Sequence, residues 1–376
     1  RVEIDTEQGS SEDRALLKVK VEEQSTGSLS FGIGFSTGSG PIGSVSLSER
    51  NFLGRGQVVR AQVTAAGDTQ VYDLGFTEPQ FLDRDLSVGV RAFFIDQDQS
   101  DESNFELVRL GFVPTVGFPL SEDARLQLRY EFVRTDVQVS QFASPAIQPD
   151  DGVAITSQVG YLLTYDQRND VVEPTSGYFL SLNQDIAGLG GDSRYTRVTA
   201  RGKTWTSFFD DEVIASLELE AGGIISFGDD IRINERFFLG GDSLRGFESE
   251  GVGPRDLASD DALGGNYTLS ARAEVSFPLG LPEELGVFGG FFVDAGTVFS
   301  IDGNRVGFPF GVDDPATPVD ESVQIIDDTA AFRVGAGALL FVDSPFGPIE
   351  MSFGVPLIKE DFDNSEFFRL TVGTRF

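Results

Sequence analysis

The side chains able to do chemistry in this chain are few in kind. Cysteine and histidine are absent from its 376 residues, which excludes disulfides, thiolate nucleophiles, Cys/His zinc sites and every histidine-dependent triad. What remains is ionic. There are 60 acidic against 28 basic residues, a net charge of −32, so a phosphate backbone is a poor partner and nucleic acid is not expected. One stretch sets a cation among small residues: Gly240-Gly241-Asp242-Ser243-Leu244-Arg245-Gly246-Phe247. Its glycines permit positive φ and close backbone approach, so a sharp reversal can present one guanidinium and one ring at its tip. The expectation is a long loop that folds back and lodges Arg245 inside a barrel. A solvated Gly-Ser turn would use the same residue types, and the rest of the chain decides between them.

The elements that must position this loop are strands. Period-two alternation begins at Gly27, where Leu29, Phe31, Ile33 and Phe35 share one face and Ser30, Gly32, Gly34 and Ser36 the other. It recurs in Val59 to Ala65, Tyr72 to Phe76, Leu86 to Phe94, Leu126 to Phe132, Tyr178 to Leu182 and Val213 to Leu219. Sixteen such runs are read, at about 27–36, 41–50, 56–67, 69–78, 85–96, 105–118, 123–140, 153–166, 176–188, 193–208, 212–227, 267–279, 286–300, 330–343, 347–358 and 365–376. No window is apolar enough for a spanning helix, but transmembrane strands need only about 9–11 alternating residues. Thirty-four Phe and seven Tyr supply rings for a lipid-facing surface. Alternation alone also fits a soluble sandwich with its apolar faces turned inward. An even number of strands closes an all-β antiparallel barrel. The segments 228–266 and 301–329 are too long for linkers and are the candidates for function.

Residues 1–24 carry a short alternating stretch, Leu17 to Glu23, too small to bury a core. It is read as the last strand of an upstream domain, with the barrel occupying 25–376. The final run places Phe368, Leu370, Val372, Thr374 and Phe376 on one face, and its terminal aromatic resembles the sorting signal of bacterial outer-membrane barrels.

Six motifs then stand in one order: Ser48-Glu49-Arg50-Asn51-Phe52-Leu53-Gly54-Arg55-Gly56, Phe76-Thr77-Glu78-Pro79, Pro174-Thr175-Ser176-Gly177-Tyr178, Leu244-Arg245-Gly246-Phe247, Phe292-Val293-Asp294-Ala295-Gly296-Thr297-Val298 and Ser344-Pro345-Phe346-Gly347-Pro348. Together they resemble the BamA family, the central barrels of the outer-membrane protein assembly machine. The resemblance implies a sixteen-stranded transmembrane barrel preceded by polypeptide-transport-associated (POTRA) domains, of which 1–24 would be the last strand. It implies a non-enzymatic insertase in the bacterial outer membrane, amino-terminal side in the periplasm. Unfolded barrel clients, accessory assembly lipoproteins and outer-membrane lipid would be its partners, with no cofactor. The same superfamily contains the alternative, a protein-secreting two-partner translocator or a TamA-type assembly protein. The resemblance also assigns residues. Arg245, with Gly246 and Phe247, would anchor the loop against Glu274 and Asp294, whose outward neighbours Ala273, Val275, Val293 and Ala295 leave both carboxylates facing the lumen. Leu244 stands where such loops more often carry Val. The lateral seam would lie between Leu29, Phe31, Ile33 and Phe35 on the first strand and Phe368, Leu370, Val372, Gly373 and Phe376 on the last. Periodicity leaves the register between the two strands open, and positions near Ile33 and Leu370 are one trial pair among several.

Overall fold

Alternating side chains with β-branched and aromatic residues on one face cannot bury that face alone, and a closed sheet gives each strand two partners. In the computed structural model, which describes residues 2–8, 15–21, 25–282, 285–301, 326–328, 330–344 and 347–373, the sheet closes. Sixteen strands from Gly27–Ser36 to Phe368–Val372 form an antiparallel barrel in which each pairs with its sequence neighbours, and the last pairs with the first. Every alternating run read from the sequence is one of these strands.

Successive strands alternate in direction, so connections fall on two ends. The turns at 53–56, 120–123 and 209–212 lie on the end where residue 25 enters, while 37–39, 66–68, 192–194 and the long 227–266 segment lie on the other. Of the two long segments read as functional, 302–325 and 329 lie outside the described residues, as do Pro345, Phe346 and the terminal Phe376. Upstream of the barrel, Val2–Gln8 and Ala15–Val21 pair as a two-stranded antiparallel sheet.

One strand is shorter than the alternation suggested. The run 365–376 was expected to be extended throughout, yet the last strand begins only at Phe368. Its approach is committed elsewhere. The carbonyl of Asn364 accepts from Glu248 N–H at 3.1 Å, and Glu366 N–H donates to Gly246 O at 3.1 Å.

The outer wall carries the apolar face, as lipid contact requires: Phe31 and Ile33 are 73% and 77% exposed. The buried core lies inside the lumen, at the end away from residue 25. There the 227–266 segment packs Phe237, Leu239, Leu244, Phe247 and Val252 against Ile224 and Val298 of the wall. A second cluster joins Ile233 and Leu263 of the segment to Phe105, Leu107 and Val137. With no free edge in hydrocarbon, partial unfolding is costly, so unheated protein in detergent should migrate apart from boiled protein on a denaturing gel and give a β-type circular-dichroism spectrum. Identical migration with a helical spectrum would overturn the architecture.

Candidate functional site

The loop turns at its glycines. Gly240, Gly241 and Gly246 all hold positive φ, at 138°, 59° and 94°, which side chains with a Cβ rarely adopt. Gly241 N–H donates to Phe247 O at 3.0 Å, and Ser243 Oγ donates to Gly240 O at 2.7 Å, closing a tight knot. Phe247 and Leu244 are fully buried in the segment's own core. Arg245, between them, is driven to the wall.

Glu274 lies on Tyr267–Pro278 and Asp294 on the adjacent Val287–Phe299. In their register Arg272 faces Asp294 and Glu274 faces Phe292, so the two carboxylates are diagonal neighbours on one face. The Arg245 fork spans them: Nε to Asp294 Oδ2 at 2.8 Å, Nη2 to Asp294 Oδ1 at 2.9 Å, and Nη1 to Glu274 Oε2 at 2.8 Å. Its backbone N–H adds a bond to Asp294 Oδ2 at 3.1 Å, and the guanidinium lies 4.0 Å from the Phe292 ring centroid. Asp294 is 0% exposed and Arg245 8%. Arg272, directly opposite Asp294, turns away and pairs with Glu218, which leaves Asp294 to the loop. An ammonium could not reproduce this two-carboxylate geometry.

Two glycines of the wall admit the tip. A Cβ at Gly335 would lie 2.0 Å from Arg245 O, and one at Gly354 would lie 2.8 Å from Gly246 N. Alternation could not single these out, because inward glycines recur on many strands. A second buried ion pair was also invisible in sequence: Arg333 and Asp363, both side chains 0% exposed, meet at 2.9 Å. No spacing links residues thirty apart across an irregular connection.

At the seam, Val372 is registered with Phe35 and Thr371 with Ser36, and these are the two registered pairs among the described residues. Thr37 N–H donates to Leu370 O at 3.0 Å. Leu370 therefore sits beside Thr37, and the trial pair Ile33–Leu370 does not face: Leu370 is opposite a position four residues from Ile33. Leu29, Phe31, Ile33, Phe35 and Phe368 are all exposed outward, with Leu370 and Val372 partly so. Gly34 and Gly373 meet across the seam, where a Cβ on Gly34 would be 2.4 Å from Val372 O. The backbones approach there as no side-chain-bearing residue would allow. On its other edge the first strand is fully registered, from Gly27 opposite Glu49 to Ser36 opposite Gly40.

A sixteen-strand closed barrel of this kind has known counterparts. The Omp85 superfamily domain matches residues 51–376. The chain belongs to the Omp85 superfamily. Outer membrane protein assembly factor BamA of Neorickettsia risticii is 28% identical over 363 residues, covering 96% of this chain and 46% of that protein. The BamA of Neisseria meningitidis serogroup B is 26% identical over 400 residues, covering 97% and 49%. This Omp85 chain thus spans about half the length of the curated relatives it matches. Its barrel superposes on the crystal structure of BamA from Haemophilus ducreyi lacking POTRA domains 1–3 with a TM-score of 0.82 at 24% identity, covering 100% of this chain and 75% of that one.

Farther along the loop, Glu250 accepts from Gln99 Nε2 at 2.8 Å and Ser103 Oγ at 3.4 Å. Burial, and then the neighbouring Glu102 carboxyl, push Glu250 up to about 7 despite the opposing Ser103 bond and Arg255 charge. The docked state therefore holds a proton that the undocked loop releases near the ordinary value of 4.5, so docking weakens as pH rises through 7. Protease protection of the loop should fall between pH 5 and pH 8, and Glu250→Gln should flatten that dependence.

Removing one member of a buried pair strands a charge at roughly 3–5 kcal/mol, less here because the Glu274 side chain is 28% exposed. Arg245→Ala should leave the barrel folded and open the 227–266 segment to protease, while Arg245→Lys should restore protection only in part. Unchanged protection in Arg245→Ala would reduce Arg245 to a turn residue.

Proposed function

We propose that this chain is the barrel of an outer-membrane protein assembly factor, and that it works without a catalytic side chain by opening its seam to clients. The observation that carries the reading is the seam itself. Most junctions of the barrel run along most of their strands, and the one before the last strand covers Ile349–Phe353; the closing pair is registered at Phe35–Val372 and Ser36–Thr371 among the described residues, beside two glycines whose backbones nearly touch. Unpaired N–H and C=O groups on a parted first strand are themselves the reactive groups, accepting an incoming strand by β-augmentation. The exposed Leu29, Phe31 and Ile33 would give that strand a lipid-facing side for a client to extend.

The names of the relatives matched over nearly the whole chain, both outer membrane protein assembly factors, support this reading over a two-partner translocator or a TamA-type protein. On it, the protein sits in a Gram-negative outer membrane with residue 25 toward the periplasm. Its partners are unfolded barrel clients, accessory lipoproteins and outer-membrane lipid. The paired strands Val2–Gln8 and Ala15–Val21 are then the end of a POTRA domain. Arg245, Glu274 and Asp294 hold the lumen loop so that the wall keeps its shape while the seam parts.

The test uses the observed register. A disulfide between Phe35→Cys and Val372→Cys should block assembly of clients in reconstituted membranes, and reduction should restore it. Full assembly with the cross-link verified would remove the seam mechanism. Cysteines at Ile33 and Leu370, which are not opposed, should cross-link poorly.

A further inference from the structure

The lumen loop does not stop at the Arg245 anchor. After the strand Gly347–Ile358 the chain crosses to the last strand along the loop's flank, through Glu248 N–H to Asn364 O at 3.1 Å, Asn364 N–H to Gly251 O at 3.0 Å, and Glu366 N–H to Gly246 O at 3.1 Å. Gly246 is the residue next to Arg245. Inside the last strand, Arg369 points into the lumen with its side chain 10% exposed. Its Nε donates to Glu366 Oε2 at 2.9 Å and its Nη2 to Ser249 Oγ at 3.3 Å, while Nη1 lies 3.6 Å from Asp242 Oδ1. Two of these partners, Ser249 and Asp242, belong to the loop.

The first hairpin meets the same group. A Cβ on Gly38, in the turn after the first strand, would lie 3.1 Å from Arg369 Nη1, and one on Gly241 of the loop would lie 2.9 Å from Nη2. Both glycines leave room for the guanidinium. Thr37 beside Gly38 exchanges bonds with the last strand, giving its N–H to Leu370 O at 3.0 Å and taking Leu370 N–H on Oγ1 at 3.3 Å. One cation therefore stands where the lumen loop, the last strand and the first hairpin converge. This is the extracellular end of the seam, the end away from residue 25.

We propose that Arg369 is a positioning residue that couples the lumen loop to the seam, so that the last strand keeps its register with the first only while Ser249 and Asp242 hold its guanidinium. Phe368–Val372 is registered residue for residue with Ile349–Phe353 on its other edge, but toward the first strand two pairs are registered among the described residues, so whatever else orients it bears directly on that pairing. Arg245 and Arg369 act in series: the first fixes the loop to the wall, the second fixes the last strand to the loop. The inference deepens the seam reading above and rests on it only for its consequence for clients.

Amide hydrogen exchange at Thr37 and across 368–372, on folded barrel in detergent, tests it without any client. Arg369→Ala should speed seam exchange by about tenfold or more, as local opening does when charge-assisted bonds are lost. Arg245→Ala should speed it too, although Arg245 touches neither seam strand. The double variant should exchange no faster than the quicker single variant, because both break one chain of contacts. Arg369→Lys should lie between. Ser249→Ala with Asp242→Asn keeps Arg369 on Glu366 yet removes the loop's hold, and should reproduce the effect even where Arg369→Ala does not fold. Arg129→Ala, a lumen cation paired with Asp185 far around the wall, should leave the seam unchanged. Unaltered seam exchange in the Ser249/Asp242 variant, or additive effects of the two arginines, would overturn the coupling. Normal client assembly by variants with a loosened seam would instead count against the seam's proposed use and leave the coupling standing.

Discussion

A strand that crosses hydrocarbon must find a partner for each of its backbone N–H and C=O groups within the protein, because no water is there to take them. Everything in this chain answers to that constraint. Fourteen junctions meet it with long registers, the last strand meets its predecessor through the shorter run Ile349–Phe353, and the sixteenth junction joins the two ends of the barrel and meets it at Phe35 and Ser36 among the described residues. On the proposed reading, the closure with the fewest registered pairs among the described residues is the place where the molecule changes. A seam between the first and last strands is also the one junction of the barrel whose strands are not consecutive along the chain, so no connection fixes its register. The register must come from elsewhere.

Here it comes from the lumen. Lipid-facing side chains add little specificity, since hydrocarbon is as apolar as they are, and the buried core of the protein is instead the folded-in segment 227–266 with the upper wall. Burying a segment of net negative charge is possible because its arginines are held on carboxylates or carbonyls. Arg245 takes Glu274 and Asp294, and Arg236 donates to the carbonyls of Ile231 and Leu263. Such pairs contribute less to stability than to geometry, since the desolvation of each ion offsets most of its attraction. What they set is position: a bidentate guanidinium fixes distance and plane together. The loop is thereby held on the wall opposite Gly335 and Gly354 and laid along the approach to the last strand.

Glycine is used at both contacts for the same reason. Gly335 and Gly354 let the loop backbone touch the wall, and Gly34 and Gly373 let the first and last strands touch each other. Close approach without side chains gives contact without interdigitation, so the surfaces can separate without repacking.

The sequence by itself determined the strands, and its motif resemblance the barrel. Alternation in runs such as Leu29 to Phe35 and Val213 to Leu219 has a period set by the strand backbone alone, so strand positions and facing were legible before any contact was known. The Arg245 motif and the inward facing of Glu274 and Asp294 were legible too, because parity along one strand follows from its neighbours. Only the tertiary structure decided the rest. The closing register, which set Leu370 beside Thr37 and not Ile33, depends on strands 330 residues apart with no turn between them. The late start of the last strand follows from Asn364 and Glu366 bonding to the loop, and the burial of Arg333 with Asp363 joins a strand end to an irregular connection. Arg369 looks in sequence like any inward polar residue, and its partners Ser249 and Asp242 come from a segment with no period to read. Local periodicity fixes what each strand presents; only closure in three dimensions brings the chain's distant ends and its aperiodic loop to one place.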